Sequence, residues 1–328
     1  MDQEARARIA QLNYRFEDLP SEYVETCALC GAEDDFAIIS DRDRYGFPVR
    51  TYLCRRCGFA FVNPRLTPEG YAIFYDRFYR RLVNALKGRE FDITTLQQKQ
   101  RRYAERIDDV LLGRFLRTGN YRTLLDIGGS TGIVSGYLAR KYDLEVTVIE
   151  PSPEELAVAE AAGLKTFLGV LEDYPVGEQK FDVILLAQTV HHLQDLNTSF
   201  AKMRALSHPE TLVFVDMVDF LSICRLRKYS VPDATQVDHC NAMIDPVMRA
   251  FLTKHGFRVL LADYSRPMYV NYLLRLSSDG PQMPDSFPYV DEYLRDLVTI
   301  TNSTRPLTSH QLIADVVNGV KKRIPFLR

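Results

Sequence analysis

The stretch LLDIGGSTG, residues 124–132, decides the fold. An apolar run carrying Asp126 gives way to a glycine-bearing turn, and residues 133–140 follow with helical spacing. That is the pattern of a buried strand feeding a helix. Gly128, Gly129 and Gly132 allow positive φ and a close approach of the backbone to a ligand, and Ser130 interrupts them. Outward from this point, strand patterns recur at residues 146–149, 183–187, 212–216, 257–262 and 269–276. Helical spacing fills residues 153–162, 196–206 and 246–255, with Pro153 at a first turn and Gly163 and Gly256 as terminators. The alternation predicts an α/β fold, a Rossmann-like and mostly parallel sheet covered on both faces. Two final strands without a helix between them predict an antiparallel hairpin.

A second acid, Glu150, closes the next strand 24 residues after Asp126. The spacing suits a carboxylate accepting ribose hydroxyls. A dinucleotide fingerprint, G-x-G-x-x-G, would seat a pyrophosphate on the helix N-terminus, but Ser130 and Ile133 occupy its second and third glycine positions. Asp126 adds negative charge beside the turn, unfavourable for a pyrophosphate and favourable for the amino group and sulfonium of S-adenosylmethionine.

This stretch resembles class I S-adenosylmethionine-dependent methyltransferases, whose first motif reads D-x-G-x-G-x-G. Asp126, Gly128 and Gly132 match, and Ser130 replaces the central glycine. The resemblance continues through Glu150, FDVILLAQTVHHLQD (181–195) and LVFVDM (212–217), covering residues 121–276. It implies that Gly129, Ser130 and Pro151 also border the cofactor. It further implies that Leu171 or Glu172 approaches the adenine and that Gln188 lies near the methionine moiety.

Four of the six cysteines form two CxxC pairs, Cys27/Cys30 and Cys54/Cys57, with 23 residues between the pairs. Two intervening residues let both thiolates of a knuckle face one tetrahedral ion, so the pattern predicts a small zinc-ribbon-like module with a structural Zn2+. Cys224 and Cys240 read as ordinary thiols. The layout C-x2-C-G, then YLCRRCGFAFVNP (52–64) and an FY pair ahead of the methyltransferase-like core resembles bacterial sugar methyltransferases with an N-terminal four-cysteine zinc module. Nucleotide-sugar C-methyltransferases are among them, with a longer C-terminal domain than the roughly 50 residues after Leu276 here. The resemblance implies a sugar acceptor, nucleotide-linked or within a glycan, and places His239 and Asp238 on an acid/base pair. His192 falls on the histidine of the family's E-H-L, with His191 replacing the glutamate. Histidine is the usual base near neutral pH, so His239 and His192 are the candidate catalytic bases, with Asp238 orienting His239. The alternative for His239 is a surface or capping histidine, and for His192 a packing residue behind the site. Tyr75 and Tyr79 are candidates for closing over the acceptor, and the alternative is that FYDRFY is an amphipathic packing helix.

The 328 residues exceed one usual domain, and the pattern divides them into a lead-in (1–20), a zinc-binding module (21–80), a helical connector (81–120), the methyltransferase-like domain (121–280) and a C-terminal helical extension (281–328). The connector predicts a helix over 96–116 with Tyr103, Ile107, Val110 and Leu111 on one face. Hydrophobic residues at 46%, charged residues at 26% and a net charge of −2 give no global pull toward nucleic acid or membrane. The N-terminal stretch lacks an apolar targeting segment, and no apolar run is long enough to span a bilayer, so the expectation is a cytoplasmic protein without membrane insertion. Basic residues outnumber acids about two to one between Arg42 and Arg117. This local surplus suits a nucleotide diphosphate, an anionic glycan or RNA, or it is a solvated helical face. The terminal KKRIPFLR reads as a solubilising end or a contact for an anionic membrane surface. Two readings compete with sugar methylation: an RNA methyltransferase gripping its substrate through the zinc module, and an inactive S-adenosylmethionine-binding protein.

Overall fold

The computed structural model describes residues 3–90 and 93–304; KKRIPFLR, residues 321–328, lies outside them. The strands among the described residues run β1 Ser21–Glu22, β2 Phe36–Ser40, β3 Thr51–Cys54, β4 Ala60–Val62, β5 Arg65–Leu66, β6 Thr123–Ile127 and β7 Glu145–Glu150. They continue as β8 Lys165–Leu168, β9 Phe181–Leu186, β10 Ser207–Val218, β11 Asn241–Ala242, β12 Phe257–Asp263 and β13 Tyr269–Leu276. Contacts group the chain into two units. One takes the described residues of Met1–Glu90, Val218–Phe251 and Met283–Arg328, and the other those of Phe91–Met217 and Leu252–Gln282. The units are thus interleaved along the chain, whereas the sequence pattern divides it into consecutive segments.

In the second unit a seven-stranded sheet has the order β12-β13-β10-β9-β6-β7-β8. The pairs β6–β7, β6–β9, β7–β8 and β9–β10 are parallel, and β12–β13 is antiparallel. The interior of the sheet is apolar for a physical reason. Strands covered on both faces have no solvated side, so β6 and β9 bury Leu124, Leu125, Ile127, Val183, Ile184, Leu185 and Leu186. Edge strand β8, KTFL, lacks that apolar run and is held by β7 alone, so no pattern marks it in advance. The helix Pro153–Ala161 starts at Ser152, whose hydroxyl accepts the Glu155 N–H at 3.4 Å, and Leu196–Ala205 starts at Asp195, which accepts the Thr198 N–H at 3.0 Å. From β6 the chain winds to β7 and β8, then returns on the other side of β6 as β9 and β10. The carboxyl ends of β6 and β9 therefore flank the switch point, where open α/β sheets bind ligands.

The expected connector helix forms as Ile93–Ile107 and continues through a π-turn, Asp108–Leu112, to Leu116. Tyr103 packs against the core, Ile107 and Leu111 are buried in it, and Val110 is 37% exposed instead of sharing their face. A π-turn adds a residue to one helical turn, and this slips the register that a 3.6-residue period assumes. The extra residue falls where buried Asp108 accepts the Tyr137 hydroxyl at 3.2 Å and also bonds Lys141 and Tyr142.

The first unit has a four-stranded sheet of order β11-β4-β3-β2, each neighbouring pair antiparallel, and a short β1–β5 ladder. Its core is aromatic. Tyr14 meets Phe47, Phe74 and Phe78 edge-on at 4.5, 5.7 and 4.9 Å between ring centroids. The helix Val290–Thr304 belongs to the same unit, and Tyr289 just before it donates its hydroxyl to the Cys57 carbonyl at 3.0 Å. No helix among the described residues is long and apolar enough to cross a membrane.

Candidate functional site

Three acids stand at carboxyl ends of strands in the second unit: Asp126 on β6, Glu150 on β7 and Asp216 on β10. All are buried, at 1%, 8% and 1% exposure. Burial is the chief cause that raises Asp126 to about 6, Glu150 to about 7 and Asp216 to about 6. Ser135 beside Asp126 acts in the opposite direction, and Asp126 Oδ2 has no hydrogen-bond partner. Glu150 accepts the Ser152 N–H at Oε1 and the Ser130 N–H at Oε2, each at 2.9 Å. Each oxygen keeps a lone pair for a ligand hydroxyl.

The turn after β6 is strained where the sequence departs from the glycine motif. Ser130 has φ +52°, the left-handed region that glycine adopts without cost, and its hydroxyl bonds the Glu155 carboxylate. Gly128 has φ +66°, and a Cβ there would lie 2.6 Å from Thr189 Cγ2. Across the switch point Gln188 is also left-handed, φ +59°, and its N–H is donated to Asp216. The other Asp216 oxygen accepts the Tyr103 hydroxyl at 2.6 Å. Gln100, one helical turn before Tyr103, accepts the Thr131 hydroxyl at 2.5 Å. One helix face thus braces both the glycine turn and the exit of β9. Leu171 is buried in a single 3-10 turn with Glu172, whose carboxylate accepts the Ser199 hydroxyl and whose carbonyl accepts the Lys202 ammonium. Pro151 lies between Glu150 and the helix-capping Ser152.

In the first unit the four cysteine sulfurs lie within 4.8 Å of one another. Cys27 Sγ is 3.4 Å from Cys57 Sγ, and Cys30 Sγ is 3.6 Å from Cys54 Sγ. Two matching turns present them. The Gly31 N–H is donated to the Cys27 carbonyl at 2.9 Å and the Gly58 N–H to the Cys54 carbonyl at 2.8 Å, with φ +71° at Gly31 and +77° at Gly58. Four sulfurs at about 2.3 Å around a tetrahedral ion would be about 3.8 Å apart, so the donor set and its spacing fit zinc; a disulfide would need about 2.05 Å. Hydrogen bonds from Cys27 hold Cys30 and Cys54 below the usual thiol range.

The histidine candidates His192 and His239 belong to different units of the chain. His192 donates its N–H to the Thr189 carbonyl at 2.8 Å, in the one-turn helix after β9, and its ring lies 4.3 Å from that of His191. Desolvation holds His191 well below the usual imidazole range. His239 donates its N–H to the Gln236 carbonyl at 3.0 Å in the first unit, next to buried Asp238. Tyr75 stacks edge-on with Phe74 and Tyr79, at 5.5 and 5.1 Å, on the flank of the aromatic core.

Residues 125–215 match the family model described as a methyltransferase domain. Those residues form a methyltransferase domain. Over 106 residues it is 29% identical to ajmaline N-methyltransferase of Rauvolfia serpentina, a match covering 30% of this chain and 36% of that protein. Over 72 residues it is 36% identical to an uncharacterized methyltransferase of Mycobacterium bovis, covering 21% and 29% respectively. The chain thus spans about a third of the length of the curated relatives it matches. A solved structure of 1,6-didemethyltoxoflavin-N1-methyltransferase from Burkholderia thailandensis, with bound S-adenosylhomocysteine, has a TM-score of 0.45, 16% identity, and coverage of 67% of this chain and 96% of that chain.

Within the methyltransferase domain the structure gathers Asp126, Gly128, Gly129, Ser130, Gly132, Glu150 and Gln188 around the switch point. It adds Asp216, Tyr103 and Gln100, to which the sequence pattern assigns no role at the site. Asp216 had a signal, since it closes an apolar strand as Asp126 and Glu150 do. Gln100 and Tyr103 had none, because their partners lie 31 and 113 residues away.

Proposed function

We propose that the protein transfers a methyl group from S-adenosylmethionine to a sugar, nucleotide-linked or within a glycan. The pair of buried strand-end acids, Asp126 and Glu150, beside a left-handed turn in the methyltransferase domain carries this reading. S-adenosylmethionine supplies a methyl carbon already bonded to a good leaving group. The chain's own work is therefore binding, alignment and exclusion of water. Glu150 takes the ribose hydroxyls on its remaining lone pairs, with Pro151 beside it. Asp126 faces the cationic amino group, Leu171 and Glu172 border the adenine, and Gln188 meets the methionine moiety. On the acceptor side His239 removes the proton and Asp238 orients it, with His192 the second candidate base and Tyr75 bordering the acceptor. Cys27, Cys30, Cys54 and Cys57 hold a structural zinc that leaves no open position for water.

The sugar half draws its support from the four-cysteine module ahead of the methyltransferase domain and from the basic surplus before it. Calorimetric titration with S-adenosylmethionine, followed by a screen of nucleotide sugars for methylated product, tests both halves. Binding and a methylated sugar are the expected results. No cofactor binding with the cysteine module intact would overturn the methyl-transfer reading; binding without any methylated sugar would overturn the acceptor.

A further inference from the structure

Residues 235–242, which carry Asp238 and His239, are built into the sheet of the cysteine module, although about 180 residues of sequence separate them. β11 pairs antiparallel with β4, Asn241 opposite Phe61 and Ala242 opposite Ala60, and the Val62 N–H is donated to the Cys240 carbonyl at 2.9 Å. The loop between β2 and β3 holds the other side. Buried Asp43 accepts the Tyr45 and Phe47 N–H groups at Oδ1, both at 3.0 Å, and the Val237 N–H at Oδ2, at 3.2 Å. Arg44 donates its N–H to the Thr235 carbonyl and its guanidinium to Gln236 Oε1, each at 2.9 Å. The Tyr71 hydroxyl donates to the Val237 carbonyl at 3.0 Å and accepts from Cys240 Sγ at 3.0 Å. These ties bracket His239 on both sides.

The same hairpin has the cysteine cluster at its opposite end. Cys54 pairs with Phe36 where β2 begins, and Thr51 pairs with Ser40 at the loop end, three residues or about 10 Å along the strand. A metal that fixes the two knuckles therefore also fixes the strands from which the Asp43 loop and the β11 edge extend. We propose that the cysteine module is a positioning frame for the Asp238–His239 segment, with Asp43 as its principal positioning residue. The four-cysteine cluster then serves methyl transfer without touching the acceptor. This inference rests on the reading of His239 as the base.

Asp43→Asn tests it, because the amide keeps one acceptor for the Tyr45 and Phe47 N–H groups and turns a donor toward the Val237 N–H. The full chain is compared with wild type by the imidazole C–H resonance of His239 at fixed pH, assigned by its loss in His239→Gln. Bound zinc per chain and calorimetric S-adenosylmethionine affinity are measured alongside. The expected result is a displaced His239 resonance, with zinc content unchanged and affinity within twofold. A resonance superimposable on wild type would overturn the proposal. If the Asn variant loses its zinc or precipitates, Arg44→Ala and Tyr71→Phe each remove a tie and should displace the same resonance by less; an unmoved resonance in both overturns it. The base reading fails separately, if His239→Gln retains methyl transfer, and that outcome leaves the resonance test untouched.

Discussion

The two units reach stability by different routes. In the methyltransferase domain, buried strands of the parallel sheet supply the core, and the polar groups at the switch point are additions to a structure already held by apolar burial. In the first unit the sheet has strands of two to five residues, and their ends are fastened by the cysteine cluster and by single hydrogen bonds from distant segments. A unit of the first kind tolerates loss of a polar residue, whereas a unit of the second kind depends on its cross-links. The sharpest way to break that contrast is Cys54→Ser or chelation. Either should unfold the first unit, a loss of several kcal/mol, while the methyltransferase domain keeps its fold and binds S-adenosylmethionine. Calorimetry with limited proteolysis checks this, and simultaneous loss of both would show that the two units are not energetically distinct.

The next largest effect falls on the other side of the comparison. Glu150→Gln removes a charged acceptor and leaves the sheet intact. Cofactor affinity should fall roughly 10- to 100-fold, the worth of about 1.5–3 kcal/mol for hydrogen bonds to a charged group. An unchanged Kd would remove Glu150 from the ribose.

The same substitution sharpens the contrast through pH. Burial raises Glu150 to about 7 in the folded chain, above the ordinary carboxylate value near 4.5. A carboxyl whose folded pKa is raised contributes stability that is fully present below about 4.5 and lost as pH rises through about 7. Wild type should therefore lose ground to Glu150→Gln between pH 5 and 8, by roughly 2–3 kcal/mol whatever the offset between them. Urea midpoints measured at both ends check the slope, and parallel behaviour would mean that burial does not govern this carboxyl.

How much of each unit was legible follows from the same difference. β6, β7, β9 and β10 come in sequence as apolar runs separated by helices, so period and punctuation reveal them, and Asp126 and Glu150 are conspicuous as acids ending such runs. The clustering of the four cysteines was legible because two CxxC pairs are a conspicuous local pattern, and their sulfurs lie within 4.8 Å of one another. β11 was not, since a two-residue strand has no period and its partner β4 lies near residue 61. The ties of Asp43 to Val237 and of Tyr103 to Asp216 span 194 and 113 residues, beyond the reach of any local pattern. Val110 was misplaced because a π-turn leaves no compositional mark.

The smallest effect belongs to the residue at which the motif and this chain part, Ser130. Its φ of +52° costs a residue with a Cβ about 1 kcal/mol relative to glycine. Against that, Ser130→Gly forfeits the hydroxyl bond to Glu155, worth about 1 kcal/mol, and frees the unfolded chain by about 0.5–1 kcal/mol more. The backbone N–H that reaches Glu150 Oε2 is retained in either residue. The opposing contributions nearly cancel, so the melting temperature should move by only a few degrees and the S-adenosylmethionine Kd by less than threefold. A tenfold change in Kd would mean that the Ser130 hydroxyl or Glu155 bonds the cofactor directly, giving the serine a role that the glycine of the family motif cannot have.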